Sequence, residues 1–134
     1  MRSLGDCQWV NDYVGIPYVA CGRGWDGVDC YGLLKLVYSE EFGIDDLPDW
    51  LIDPIDLKSV HTKIDDVVAS GSFTETDNPK DGDIVVCYRT RAAHHVGVYI
   101  AGSVLHSVKG GVTCQHLSKF KRNYVRVVIG EWKP

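Results

Sequence analysis

The sequence predicts an α+β domain in which N-terminal helices pack on a small antiparallel β-sheet built from the second half of the chain. Three observations carry this. Apolar residues keep helical spacing from about 29 to 42 and again from 57 to 68, whereas from Ile84 onward they come in short runs bounded by turn residues. Helical patterns come first and strand patterns second, which favours α+β over an alternating parallel α/β sheet. The 134 residues, 45% hydrophobic and 24% charged, suit one domain over 1–134 that buries a core without staples.

Residues 4–14 carry Leu4, Trp9, Val10, Tyr13 and Val14, compatible with a short helix capped by Ser3 or Asp6. Gly15-Ile16-Pro17 breaks it, and Tyr18-Val19-Ala20 runs extended into a glycine-containing loop. The next helix spans about 29 to 42, with Asp29 as N-cap and Gly43 as C-terminal stop. Residues 44–55 are acidic and punctuated by Pro48 and Pro54, so they read as a connection pinned by Trp50, Leu51 and Ile52. Asp56 caps a second helix on Leu57, Val60, Ile64, Val67 and Val68, ended by Gly71, with His61 off most of its stripe.

A polar loop then leads to the turn Pro79–Asp83. Ile84–Tyr88 is a continuous apolar run, expected as a strand buried on both faces. In His94–Ile100, Val96, Val98 and Ile100 share one face, and His95, Gly97 and Tyr99 the other. Ala101-Gly102-Ser103 turns the chain into Val104–Val108; Lys109-Gly110-Gly111 turns it again into Val112–Gln115. Val125–Ile129, extended toward Trp132, closes the sheet.

The net charge of −4 argues against a nucleic-acid partner, and the basic residues Lys119, Lys121, Arg122 and Arg126 read as a solvated surface. No run reaches the length of a membrane span, and the start shows no signal-peptide pattern, so neither a membrane role nor secretion by a leader is expected. The five cysteines, 7, 21, 30, 87 and 114, are odd in number and form no C-x-x-C pair. That disfavours a disulfide framework and a zinc site; the thiols are expected to be reduced, and no metal or organic cofactor is implied.

Chemistry gathers at Cys30. At a helix start the unpaired N–H groups and the positive end of the dipole favour a thiolate, so Cys30 is expected to be the most acidic and reactive of the thiols. Cys21 and Cys87, in apolar strand-like settings, read as packing residues. His95 and His106 fall on adjacent hairpin strands and are expected on one face. If the cysteine helix packs on that face, His95 serves as base and His106 fixes its orientation and tautomer. Gly97 beside His95 is expected to leave room for substrate. His94 is the rival base; a bulge at Ala92-Ala93 would exchange the two. Nothing around His116 recommends it.

The segments Pro17-Tyr18-Val19-Ala20-Cys21-Gly22, Gly27-Val28-Asp29-Cys30-Tyr31-Gly32, Pro79–Val85 and His95-Val96-Gly97-Val98-Tyr99-Ile100 with His106 resemble, in order and separation, the NlpC-type cell-wall cysteine peptidases. The likeness spans nearly the whole chain and is nearest to members found in bacteriophage tails. It implies a papain-like fold with Cys30 as nucleophile, His95 as general base and His106 as third polar residue. It also implies that the Tyr18 hydroxyl lies near the nucleophile; an amphipathic core tyrosine is the alternative. Asp29 is accounted for by capping, with its backbone N–H or that of Cys30 available to an oxyanion. Two positions depart from the pattern: Tyr31 stands where cell-wall enzymes carry serine, as in phage-tail members, and Arg23 replaces the second glycine of Gly-Gly.

The resemblance implies hydrolysis of an amide in peptidoglycan stem peptides by a protein made in the cytoplasm and carried in a phage tail, with tail proteins as partners. The alternatives are a tail-tip assembly module of the same fold with little or no activity, an injected cell-wall amidase effector, and a hydrolase or transferase acting on a non-wall amide or thioester.

Overall fold

In the computed structural model, residues 9–45, 47, 73–89 and 93–132 are described, with backbone alone at 93 and 94. The helical elements are Val10–Tyr13 (α1), Cys30–Phe42 (α2) and Leu117–Phe120 (α3), the last followed by a 3-10 turn over Lys121–Asn123. Arg23–Gly24 (β1) and Gly27–Val28 (β2) form a small hairpin. Phe73–Glu75 (β3), Ile84–Tyr88 (β4), Ala93–Ile100 (β5), Ser103–Val108 (β6), Gly111–His116 (β7) and Arg126–Trp132 (β8) make one antiparallel sheet, in the order β3-β8-β4-β5-β6-β7.

The α+β class is as the sequence reads, and α2 follows its expected bounds closely. Asp29 caps it by accepting the Gly32 N–H, and Gly43 stops it in the left-handed conformation (φ 66°). Leu33, Leu34 and Val37 are fully buried along it. Strand β4 is buried at all five residues because β8 and β5 flank it and both its faces are covered. Between β5 and β6 the turn is two residues, Ala101 and Gly102, both at positive φ, the geometry whose twist matches a tight hairpin.

Two clusters sandwich the sheet. One holds Ile84, Val86, Val96, Val98 and Leu105 together with Trp9, Tyr13 and the apolar side of α2; the other holds Val85, Cys87, Val104, Ile129 and Phe120 of α3. The first is tied by buried polar bonds, Tyr13 Oη to Glu41 Oε2 at 2.6 Å and Tyr38 Oη to the Gly82 carbonyl at 2.5 Å.

Of the N-terminal helix expected over residues 4–14, the described residues show Val10–Tyr13, and its proposed caps lie outside them. Other expectations need correction. The chain does not run straight from Tyr18 into a loop. Tyr18 bridges Val28 in parallel, and Cys21 sits at a turn with φ 61°, not in a strand-like setting. β3 falls within a stretch expected as loop, and α3 within one expected as plain surface; at three and four residues neither is long enough to show a period. The expected helix from Asp56 lies outside the described residues, as do Trp50 to Ile52.

Candidate active site

Cys30 is the first residue of α2, and the approach to it is clamped. Val28 donates its N–H to the Pro17 carbonyl, and its own carbonyl accepts from Val19 N–H and from Ser107 Oγ at 2.8 Å. Ser107 follows His106 on β6, so one strand fixes both the loop before the cysteine and a candidate histidine. The Asp29 carboxylate is taken up by three donors: Gly32 N–H at 2.7 Å, Arg23 Nη1 at 2.9 Å and Cys21 N–H at 3.0 Å. That supports its capping role, and the carboxylate stays near enough to act on Cys30 and Tyr18. A side chain at Gly32 would collide with the Gly22 carbonyl, so the loop lies directly on the helix start. Arg23 also stands over the Tyr31 ring, 5.8 Å from its centroid. The two positions that depart from the family pattern therefore meet each other.

The structure brings His95 and His106 together, with Nε2 of His95 3.0 Å from Nδ1 of His106. Both rings are buried, on the sheet face of Val85 and Cys87, where Tyr124 stacks on His95 (6.1 Å between centroids, 11° between planes) and Phe120 meets His106 edge-on at 4.8 Å. The aromatic wall supplied by α3 and the residues after it was not legible in the sequence. Gly97 has a different use from the one expected. A Cβ there would lie 2.7 Å from Val104 Cγ1 and 3.2 Å from His106 Cβ, so its missing side chain makes room for β6, and thus for His106, not for substrate.

The cysteine helix does not pack on the histidine face, contrary to the condition set from the sequence. α2 covers the opposite face, and Cys30 packs against that cluster. Its sulfur instead accepts hydrogen bonds from the backbone N–H groups of Val96 and Tyr31. Val96 is the residue after His95. Burial is the main cause that raises Cys87 and Tyr124 on the histidine face and Tyr18 on the loop. A thiolate at Cys30 would add to it at all three, so the sulfur lies within electrostatic reach of both sides of the strand. The half-buried Tyr18 therefore lies near the thiol, its hydroxyl held above its ordinary value by burial first and then by Cys30 and Asp29.

Electrostatics correct a second expectation. Burial, with the Asp29 carboxylate adding to it, pushes the Cys30 thiol up to about 12; the Val96 and Tyr31 N–H groups and Arg23 act the other way but do not prevail. The resting group is a thiol, and the helix start alone does not make it a thiolate. Burial also pushes the buried Cys87 up and pushes His106 down to about 4, so His106 is neutral at pH 7. Cys114 is exposed, and Cys7 lies outside the described residues. Among the described residues no group of three or more His, Cys, Asp or Glu side chains could hold a metal ion. No helix among them is long and apolar enough to cross a membrane.

The depressed His106 has a measurable consequence. Its folded value of about 4 lies below the unfolded value of 6.5, so the unfolded chain binds the proton more readily between them. Its neutral burial is without penalty above about pH 6.5, and stability is lost as pH falls through that window toward 4, by about 3 kcal/mol in all. Chemical denaturation at pH 7 and pH 4 should show this loss in the parent and a smaller one in His106→Asn. An equal loss in both would mean that His106 is not the group responsible.

The sequence model of the NlpC/P60 family matches residues 15–129, a stretch that contains Tyr18, Cys30, His95 and His106. No curated protein matches the chain in sequence. Its fold is similar to the NlpC/p60 domain of the peptidoglycan hydrolase SagA, with TM-score 0.60, 20% identity, and 90% of this chain and 91% of that one covered. It is similar also to an NlpC/P60 family protein from Bacillus cereus, with TM-score 0.66, 20% identity and coverage of 99% and 41%. NlpC1 from Trichomonas vaginalis gives TM-score 0.62, 20% identity and coverage of 92% and 41%. The chain thus spans about two-fifths of the length of these last two.

Proposed function

Because the chain belongs to the NlpC/P60 family, matched over residues 15–129, we propose that it is a cysteine peptidase that hydrolyses an amide bond in peptidoglycan stem peptides. One observation supports the assignment above the others: the Cys30 sulfur is held by the N–H of Val96, next in the chain to His95, and His95 is itself hydrogen-bonded to His106.

The paired imidazoles dictate how the proton moves. With Nε2 of His95 facing His106, the remaining nitrogen, Nδ1, is the one assigned to take the thiol proton. It is an acceptor only when Nε2 carries the hydrogen and donates it to Nδ1 of His106. A neutral His106 with its own hydrogen on Nε2 selects this arrangement, and burial keeps it neutral at pH 7. Although α2 covers the opposite face, Cys30 lies within electrostatic reach of Cys87, the strand partner of His95, and of Tyr124, which stacks on the His95 ring. The thiol proton is therefore assigned to Nδ1 of His95 as the sulfur attacks the scissile carbonyl carbon. The oxyanion is assigned to the backbone N–H of Cys30, one of the donors at a helix start that lack an intrahelical acceptor, with the Tyr18 hydroxyl beside it. His95 then gives its proton to the leaving amine, and a thioester remains. Water attacks the thioester with His95 again as base, releasing a carboxylate and the thiol.

The place of action belongs to the same proposal: a phage tail, with tail proteins as partners and the cell wall as target. It is supported by the aromatic Tyr31 in the cysteine motif, resembling tail-associated members, and here held under Arg23. The test of the activity is incubation with purified peptidoglycan followed by mass spectrometry of released fragments. New amino termini within stem peptides are expected, absent from the Cys30→Ser control. Intact stems after prolonged incubation with walls of several cross-link types would overturn the peptidase reading and leave an inactive assembly module.

A further inference from the structure

Behind His106 the sheet carries a second feature that the proposed chemistry does not use. A cavity of about 660 Å³ opens between β6, β7 and the segment after α3, and Arg89, His106, His116, Lys119, Asn123 and Tyr124 are among its lining residues. Two of these are permanent cations, and no Asp or Glu side chain lines the cavity among the described residues. The whole chain has a formal charge of −4, so this concentration of positive charge runs against the overall balance. Lys119 belongs to the basic cluster that reads from sequence as a solvated surface; in the fold it becomes a wall. The other observation is internal. His106 is 5% exposed, and its Nε2 is buried without a hydrogen-bond partner, a costly condition for a ring nitrogen.

We propose that this cavity is a carboxylate-binding subsite, occupied by an anionic group of the peptide substrate and coupled through His106 to the catalytic pair. Arg89 and Lys119 supply the attraction, and Arg89 is steadied by its stacking over the Tyr124 ring at 5.5 Å. Asn123 adds a neutral donor. A carboxylate in the cavity is the acceptor that a hydrogen on Nε2 of His106 lacks. Accepting it favours the tautomer in which Nδ1 of His106 receives from His95, and this leaves Nδ1 of His95 ready to take a proton. Occupancy of the subsite thereby selects the working form of the base. The identity of the occupant rests on the peptidase reading; binding of a carboxylate does not.

The experiment uses the whole chain with glutarate as probe and glutaramide as its neutral counterpart. Ring resonances of His106 and His116 are followed by nuclear magnetic resonance in 15N-labelled protein at low ionic strength. Saturable shifts at His106 with glutarate and none with glutaramide are expected. Lys119→Glu, at an exposed position that should fold normally, should weaken the response roughly fivefold, as should Arg89→Gln to a smaller extent. Cys30→Ser should bind glutarate as the parent does, which separates this result from the fate of the peptidase reading. A second arm compares stem peptides carrying a free carboxylate with their amidated forms. Preference for the free acid, lost in Lys119→Glu, marks the substrate as the source; glutarate binding with no such preference would replace it by a free carboxylate. Equal responses to glutarate and glutaramide, or shifts at His116 alone, would overturn the subsite.

Discussion

Cys30→Ser is expected to lower release of stem-peptide fragments by roughly ten-thousandfold while leaving the melting temperature close to that of the parent. Serine keeps the volume and can still accept from the Val96 and Tyr31 N–H groups that hold the sulfur, so the helix start should be undisturbed. What is lost on the proposed mechanism is the nucleophile: a hydroxyl is a far poorer proton donor to imidazole than a thiol. The same residue gives a pH test. With its thiol held at about 12, the thiolate fraction of Cys30 rises tenfold for each pH unit through the accessible range. Iodoacetamide labelling of Cys30, mapped by mass spectrometry, should therefore climb about tenfold per unit from pH 7 to pH 10. A rate that is already flat above pH 7 would mean that a thiolate–imidazolium pair exists before substrate arrives.

Much of the scaffold was legible because it is written in local rules. Asp29 as cap, helical spacing after it and Gly43 at the end define α2 without help from the rest of the chain. The alternation in β5 and the short turn to β6 place His95 and His106 on one face, where their rings meet. Several elements of two to four residues were not legible, because a period cannot be seen in so few positions. The β1–β2 hairpin, β3 and α3 are all of this kind. Nor does a sequence pattern say which side of a sheet a helix will cover. Hence packing of α2 on the histidine face could be set only as a condition, and α2 lies on the other face, with Cys30 packed against that cluster.

The balance of forces at Cys30 was also beyond local reading. A helix start favours negative charge on the sulfur by at most a few tenths to about 2 kcal/mol. Burial and the neighbouring Asp29 carboxylate oppose it more strongly, and both depend on what packs around the loop. Arg23 is the residue that ties these effects together. Its guanidinium pairs with Asp29 at 2.9 Å, bonds the Gly22 carbonyl at 2.8 Å and covers Tyr31, so a substitution that looks like a departure at one position is coupled to another.

The two adjacent histidines of β5 provide the sharpest separation between a catalytic and a bystander role. Register along β4 pairs Cys87 with His95 and then Tyr88 with Ala93, so the backbone steps over His94 in a bulge. The extra residue comes just before the alternation that carries His95, Gly97 and Tyr99, and it leaves His95 on their face. His95 is thereby fixed against His106 at 3.0 Å, with Tyr124 stacked on its ring. Loss of a positioned base costs about 10²- to 10⁴-fold, so His95→Ala should lose roughly a thousandfold in fragment release. His94→Ala should stay within a few-fold of the parent, since a bulge residue is unpaired and the base keeps its partner. Both variants should be compared by peptidoglycan turnover alongside circular dichroism, so that a folding defect is seen as such. Equal and large losses in two folded variants would mean that both rings touch the reaction. A large loss in His94→Ala alone would move the base by one residue and remove His106 from its role as orienter.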